Sequence, residues 1–261
     1  MTFTHLPGVL GEICRRRLAD VAKLRSRPLP ERHAGPVRSL RTTLAGPRVG
    51  VIAEIKRASP SQGRIADLDA AATAELYQRC GARGISVLTE PHWFQGSEAD
   101  LRSARGQVAL PVLRKDFLVD LYQVAEAWSW GADVVLLIVT VLGRRLPQFL
   151  EAARKRGLEA LVEVHTASEL RWALECGADL IGINNRDLHT LKVDTQVTLE
   201  LVAHLDRPKG LVLVAESGYS QPQEIRQLEA AGIHGVLIGT SVAGDADPER
   251  TLRRLVRYWE S

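Results

Sequence analysis

One phrase recurs along this chain and limits what it can fold into. A helical stretch ends at a glycine, and an apolar, strand-like run follows within a few residues. Cys80-Gly81-Ala82 precedes Ile85–Leu88, and Trp130-Gly131-Ala132-Asp133 precedes Val134–Val139. Cys176-Gly177-Ala178-Asp179 precedes Leu180–Ile183, and Ala231-Gly232-Ile233-His234 precedes Gly235–Ile238. Glycine suits the left-handed position just past a helix C-terminus. A turn this short after the helix is usual in parallel βα units.

Extending the pattern predicts eight strands: Val51–Ile55, Ile85–Leu88, Val112–Leu113, Val134–Val139, Ala160–Val164, Leu180–Ile183, Leu211–Val214 and Gly235–Ile238. Helices are expected between them, among them Leu68–Arg79, Leu121–Trp128, Gln148–Lys155, Ala167–Leu174, Gln196–His204 and Pro222–Ala231. Eight βα units in ~250 residues is the count of a (β/α)8 TIM barrel. An open doubly wound α/β sheet is the rival architecture. The chain has 261 residues, 45% of them hydrophobic, which suffices for one large core.

Residues 1–48 precede the first strand. Leu10, Ile13, Leu18, Val21 and Leu24 form a helical stripe, which the Pro- and Arg-rich stretch Arg27–Arg38 breaks. This segment reads as a helical extension packed on the barrel, with residues 49–261 as the barrel itself.

The net charge, 34 − 31 = +3, is spread without long runs. It favours anionic ligands weakly and argues against a nucleic-acid footprint. Cys14, Cys80 and Cys176 are far apart and odd in number, so neither a zinc site nor a disulfide framework is signalled. A reducing cytoplasm is the expected location. The longest apolar run is too short for the roughly 20 residues of a membrane span, and no signal-peptide core is evident at the N-terminus.

Active sites of this fold lie where strands end and βα loops begin. The strand ends here are unusually polar. Glu54 and Lys56 are two residues apart, and such spacing puts side chains on one face of a strand. Buried there, a carboxylate and an ammonium cost several kcal/mol of desolvation unless something pairs or uses them. The first strand leads into the hydroxyl-rich loop Ser59-Pro60-Ser61-Gln62-Gly63. The third ends in Arg114-Lys115-Asp116-Phe117, and the fifth carries Glu163 within an apolar run. The sixth ends in Asn184-Asn185-Arg186-Asp187, the seventh in Glu216-Ser217-Gly218 and the eighth in Gly239-Thr240-Ser241. Glycine lets backbone N–H groups approach a ligand closely. Loops after the last two strands are the frequent phosphate site of this fold, and a following helix start favours an anion. His165 has the parity of Glu163 and is expected to face the axis as a hydrogen-bonded supporting residue. No His pair has metal-ligand spacing, so no catalytic metal is expected.

Taken in order, these segments resemble the indole-3-glycerol phosphate synthase family. The resembling residues are Ile52–Ser61, Ser86–Glu90, Phe94 with Gly96-Ser97, Leu113–Phe117, Val162–His165, Ile181–Leu188, Ala215–Gly218 and Leu237–Ser241. The N-terminal segment is similar to the one that precedes the barrel in that family. The resemblance implies ring closure, decarboxylation and dehydration of 1-(2-carboxyphenylamino)-1-deoxyribulose 5-phosphate, a phosphosugar-anthranilate compound. It implies no cofactor, no nucleic acid or membrane partner, and a monomer or weak oligomer. It assigns Glu54, Lys56, Lys115, Glu163, Asn184 and Glu216 to catalysis, with Lys115 as the acid, a role that suits a lysine if its neighbours lower its pKa. Ser59 and Arg186 would bind the anthranilate carboxylate. Phe94, Phe117, Leu136, Leu188 and Leu237 would form the slot for its ring. Ser217, Gly218, Gly239 and Thr240 would hold phosphate. Leu121, Trp128, Tyr219 and Val242-Ala243 depart from the family pattern, and Tyr219 and Ala243 lie near the phosphate loops. A phosphoribosylanthranilate isomerase would need a Cys near the first strand, which is missing here. A non-catalytic phosphate-binding barrel is the remaining alternative.

Overall fold

Apolar, largely β-branched runs bounded by glycine turns form strands because such side chains pack well on a pleated, buried surface. The computed structural model describes every residue except 1, 2, 4, 5, 27, 33, 189, 204 and 261. The strands are β1 (Gly50–Ile55), β2 (Gly84–Leu88), β3 (Val112–Lys115), β4 (Val134–Ile138), β5 (Glu159–Val164), β6 (Leu180–Asn184), β7 (Val212–Glu216) and β8 (Gly235–Ile238). All pair in parallel with their neighbours in order, and β1 pairs with both β2 and β8. The ring is therefore closed, which excludes the open sheet and makes this a (β/α)8 barrel.

Several ends differ from the sequence expectation by one or two residues. The run from Val134 stops as a strand at Ile138, and Val139 opens a short helix. β3, β6 and β7 run on to Lys115, Asn184 and Glu216. These three polar side chains are thus set by the sheet ladder rather than by loops. The expected helix end at His204 lies outside the described residues. The glycines of the recurring phrase, Gly81, Gly131, Gly177 and Gly232, all have positive φ, as a C-terminal turn requires.

Helix α1 (Gly8–Leu24) belongs to the segment ahead of the barrel, as does the short α2 (Leu40–Leu44). Then follow α3 (Ala70–Arg79), α4 (Glu98–Gln107), α5 (Leu121–Trp130), α6 (Val139–Leu142), α7 (Leu146–Arg154), α8 (Ala167–Glu175), α9 (Gln196–Ala203), α10 (Pro222–Ala230), α11 (Thr240–Ala243) and α12 (Pro248–Val256).

The core divides by strand parity. Ile52, Leu113, Leu136, Leu161, Leu180, Val214 and Leu237 fill the barrel axis, joined from below by Leu40 and Leu44 of α2. The alternate residues, such as Val51, Ala53, Val135, Val162 and Leu213, pack outward against the helices. Two acids, the half-buried Glu159 and the buried Asp133, fasten the early segment to the barrel floor. Glu159 accepts from Ser39 Oγ at 2.6 Å and from the N–H groups of Leu40 and Arg41 at 2.8 and 3.1 Å, capping α2. Asp133 pairs with Arg32 at 3.2 Å and Arg105 at 3.0 Å.

Candidate active site

Going up β1, β3, β5 and β7, the inward positions change from aliphatic to polar in the last layer. Ile52 is followed by Glu54, Leu113 by Lys115, Leu161 by Glu163 and Val214 by Glu216. The polar layer forms the floor of a cavity of ≈ 350 Å³, within the range of small-ligand sites. Glu54, Lys56, Lys115, Glu163, Asn184 and Glu216 all line it. Ser217, Gly218, Gly239 and Thr240 line its flank near the last two strands.

Two glycines make room for the carboxylates. A Cβ at Gly182 would fall 2.1 Å from Glu216 Oε1, and one at Gly239 would fall 2.3 Å from Glu54 Oε1. Gly239, expected to serve phosphate, therefore also clears space for a floor carboxylate.

The charges are closely coupled. Lys56 Nζ lies 2.9 Å from Glu54 Oε1. Lys115 Nζ lies 3.4 Å from both Glu163 Oε2 and Glu216 Oε2. Burial alone would lower the Lys115 pKa, but Glu216, Glu163 and Glu54 outweigh it and raise it. This corrects the expectation that neighbours lower it, because three carboxylates surround this ammonium. Burial, with the Glu163 charge added, pushes the Glu216 carboxyl up to about 8 in spite of Lys115. Glu163 and Glu54 move the other way. Burial opposes their ionisation, but Lys115 and His165 hold Glu163 below the usual range, and Lys56 and Lys115 do the same for Glu54.

An apolar chamber of ≈ 100 Å³ adjoins the floor. Phe94, Phe117 and Leu188 line both spaces, while Leu136 and Leu237 line the main cavity only. Ser59 and Arg186 also border the chamber, where Lys56 reaches it too. One Nη of Arg186 donates to the Leu191 carbonyl at 2.9 Å, which fixes the guanidinium at the wall. The buried Glu90 positions the loop carrying Phe94 by accepting the N–H groups of His92, Trp93 and Phe94 at 2.7–3.0 Å. The hydroxyl loop is more ordered than a plain loop, since Ala58–Ser59 pairs with Gly63–Arg64 in a short antiparallel ladder.

Every site residue expected from the sequence thus borders one of two contiguous spaces. His165 does not. It lies just beyond β5, and its ring faces Glu163 from behind. Tyr219, one of the departures, lines the cavity, and its hydroxyl accepts from Asn185 Nδ2 at 3.0 Å. Three lining residues, Val9, Leu10 and Ile13, come from α1. The sequence marked Leu10 and Ile13 as packing positions, and nothing local distinguishes packing on a barrel from walling a cavity.

The extension also reaches the strand that carries Lys115 from outside. Arg17 of α1 donates to Asp116 through Nε at 3.0 Å and Nη2 at 2.8 Å. Asp116, next to Lys115, also accepts from Thr89 and Arg114, each at 3.0 Å. Arg114 bonds Glu126 at 2.7 Å and stacks over Trp130 at 4.0 Å. Although burial opposes ionisation, Arg17 and Arg114 hold the Asp116 carboxyl below the usual range. Among the described residues no group of three or more His, Cys, Asp or Glu side chains could hold a metal ion, and no helix is long and apolar enough to cross a membrane.

In fold, the chain is similar to thiamine phosphate pyrophosphorylase from Pyrococcus furiosus. That match has a TM-score of 0.61 and 17% identity, and covers 85% of this chain and 98% of that one. The N-acetylmannosamine-6-phosphate 2-epimerase from Clostridium perfringens is similar to the same degree, with a TM-score of 0.61, 13% identity, and coverage of 87% and 97%. At these identities only the barrel is shared. Sequence relatives are much nearer. The indole-3-glycerol phosphate synthase of Methanopyrus kandleri is 44% identical over 97% of this chain and 99% of its own length. That of Deinococcus radiodurans is 45% identical over 98% and 99%. Residues 10–255 match the family description indole-3-glycerol phosphate synthase. With the polar strand-end layer in place and this match spanning nearly the whole barrel, the chain belongs to the indole-3-glycerol phosphate synthase family, the carboxy-lyases of tryptophan biosynthesis.

Proposed function

We propose that the chain converts 1-(2-carboxyphenylamino)-1-deoxyribulose 5-phosphate to indole-3-glycerol phosphate by Lys/Glu acid–base catalysis. The observation that carries this reading is Lys115 held between two carboxylates, with an apolar chamber on one side and two glycine turns on the other. The chamber suits an aromatic ring, with Arg186, Ser59 and Lys56 near its carboxylate. Arginine offers that group a planar fork. The backbone at Gly218 and Gly239, with Ser217 and Thr240, suits the phosphate at the other end.

Ring closure joins the carboxylate-bearing aromatic carbon to the keto carbon. The keto oxygen gains a proton from the Lys115 ammonium. A raised pKa does not prevent this, because the developing alkoxide is itself strongly basic. Loss of carbon dioxide then restores the aromatic ring. For dehydration, Glu163 removes a proton from the adjacent ring carbon, and the hydroxyl takes a proton from the recharged Lys115 ammonium and leaves as water. Substrate anion and one proton give product, carbon dioxide and water. Glu216, whose carboxyl holds its proton near neutral pH, stands beside Lys115 and can restore its charge. Glu54 keeps Lys56 in place, and Asn184 accepts the Arg186 backbone N–H at 3.0 Å and orients the substrate hydroxyls. Residues 1–48 act as an extension of a single catalytic domain, contributing Val9, Leu10 and Ile13 to the chamber.

The test is incubation of the purified protein with this substrate, without added metal, while indole fluorescence is followed. The expected outcome is a rise that disappears in Lys115→Ala. Tight binding by calorimetry with no fluorescence rise would overturn the reading in favour of a phosphate-ligand binder.

A further inference from the structure

Glu163 is gripped from behind as well as from the cavity. The His165 ring spans two carboxylates. Nε2 lies 3.5 Å from Glu163 Oε1, and Nδ1 lies 3.5 Å from Glu169 Oε2 on α8. Both ring nitrogens are buried, and neither has a closer hydrogen-bond partner among the described residues. Glu169 is itself fixed. One oxygen accepts from the Thr140 hydroxyl at 2.6 Å, and the other accepts the His165 backbone N–H at 2.7 Å. A continuous line of contacts therefore runs Thr140, Glu169, His165, Glu163, Lys115. Each oxygen of Glu163 has its own neighbour, with the imidazole at Oε1 and Lys115 at Oε2.

The charge of this line follows from what faces it. The cavity holds the carboxylates Glu54, Glu163 and Glu216 against the ammoniums Lys56 and Lys115, and Arg186 and Asp116 also line it, the latter paired with Arg17 and Arg114. Lys56 is engaged by Glu54, and Lys115 is shared by the other two. Around His165 stand Glu163 on β5, Glu169 on α8 and, further off, Glu216 on β7. Burial disfavours a charged ring, but the Glu169 carboxylate beside Nδ1 and the charge of Glu163 prevail and raise the His165 pKa. An imidazolium there gives Glu163 a cation of its own, out of reach of the substrate.

We propose that His165 is the positioning residue for Glu163, a cation clamped between Glu163 and Glu169 that aims the catalytic carboxylate into the cavity and keeps it ionised between turnovers. The proposal rests on the reaction given above. In that reaction Glu163 takes a proton from carbon and becomes a neutral acid, and the proton returns to water when product leaves. An adjacent cation stabilises the carboxylate over the acid and so favours the return.

The test measures kcat and KM across the acid and neutral pH range for the wild-type protein, His165→Asn and Glu169→Gln. His165→Asn keeps a polar side chain but not the charge. Its kcat should fall about tenfold or more, with KM changed by less than about twofold. Its acid limb in kcat/KM should move to higher pH, because Glu163 has lost a neighbouring cation. Glu169→Gln should move the limb in the same direction by less. Full activity with an unmoved limb would overturn the proposal. A loss of kcat with an unmoved limb would also overturn it, since that marks a packing defect. An NMR titration of the His165 ring needs no turnover. Its pKa should drop in Glu163→Gln, and an unchanged value would overturn the pairing. A wild-type protein that does not turn over the substrate would instead remove the proposed reaction, and the titration would still decide the contact.

Discussion

Lys115 and Glu216 face each other with their usual tendencies reversed. Burial ordinarily strips charge from a lysine, yet Lys115 is held as an ammonium, while Glu216 holds its proton up to about 8. The Glu216 shift has a consequence for stability. Its folded pKa lies above the unfolded value, so its contribution is full below the ordinary carboxylate range and is lost as pH rises toward 8. Glu216→Gln should therefore stabilise the fold more at pH 8 than at pH 5, by about 1 kcal/mol or more at the higher pH and with a correspondingly higher melting temperature there, while lowering turnover. A variant that melts below the wild-type protein at pH 8 would contradict this. Glu163→Gln should keep the fold and the affinity for inorganic phosphate and lose ~100-fold or more in kcat. Unchanged turnover in that variant would remove Glu163 from the mechanism. The sequence revealed these side chains because charges in apolar runs are conspicuous. It did not reveal the direction of the Lys115 shift, which depends on three carboxylates brought together from three different strands.

Among the elements, strands were more legible than helices. Val134–Ile138 stands out because both faces are buried and apolar, and Ala160–Val164 because Glu163 is a lone charge in an apolar run. Helix α4 has no such signature. Its buried positions include Asp100 and Arg105, which pair with Arg57 and Asp133 elsewhere in the fold, so charges occupy the inward face. The role of α1 was legible only in part. Its apolar stripe was evident, and Leu10, Ile13 and Val21 are buried, but so is Arg17, whose partner lies 99 residues away. Arg17→Met would leave Asp116 buried with Arg114 as its remaining guanidinium. Removing one partner of a buried pair costs about 3 kcal/mol or more. Chemical denaturation should register that loss, and kcat should fall because Asp116 adjoins Lys115. Inorganic phosphate should bind as before, since the loops proposed to hold it lie across the barrel. Equal losses in phosphate affinity and turnover would point to general unfolding and against this path. Asp116 also sets an acid limit. Its folded pKa is depressed, so its contribution is present above the ordinary carboxylate range and lost as pH falls below it. Arg17→Met should flatten the acid side of the stability curve.

At the scale of the molecule, a closed ring of eight strands leaves no unpaired sheet edge. The barrel was readable as a count of βα units, and its closure was decided only by the pairing of β1 with β8. The two cavities were not readable as a pair, because the chamber wall combines α1 with loops from distant strands. α1 contributes no strand to the ring. It is attached through side chains, with its apolar residues at the chamber and Arg17 at Asp116. Segments held in this way open locally at lower free energy than the core they cover. Heat should therefore inactivate this protein before it unfolds it. On a slow temperature ramp, turnover should disappear a few degrees below the loss of far-ultraviolet circular dichroism and return on cooling from that interval. Coincident curves would mean that helix and ring melt as one unit. If they separate, the upper working temperature is set by the detachment of one helix, and strengthening the barrel alone would not raise it.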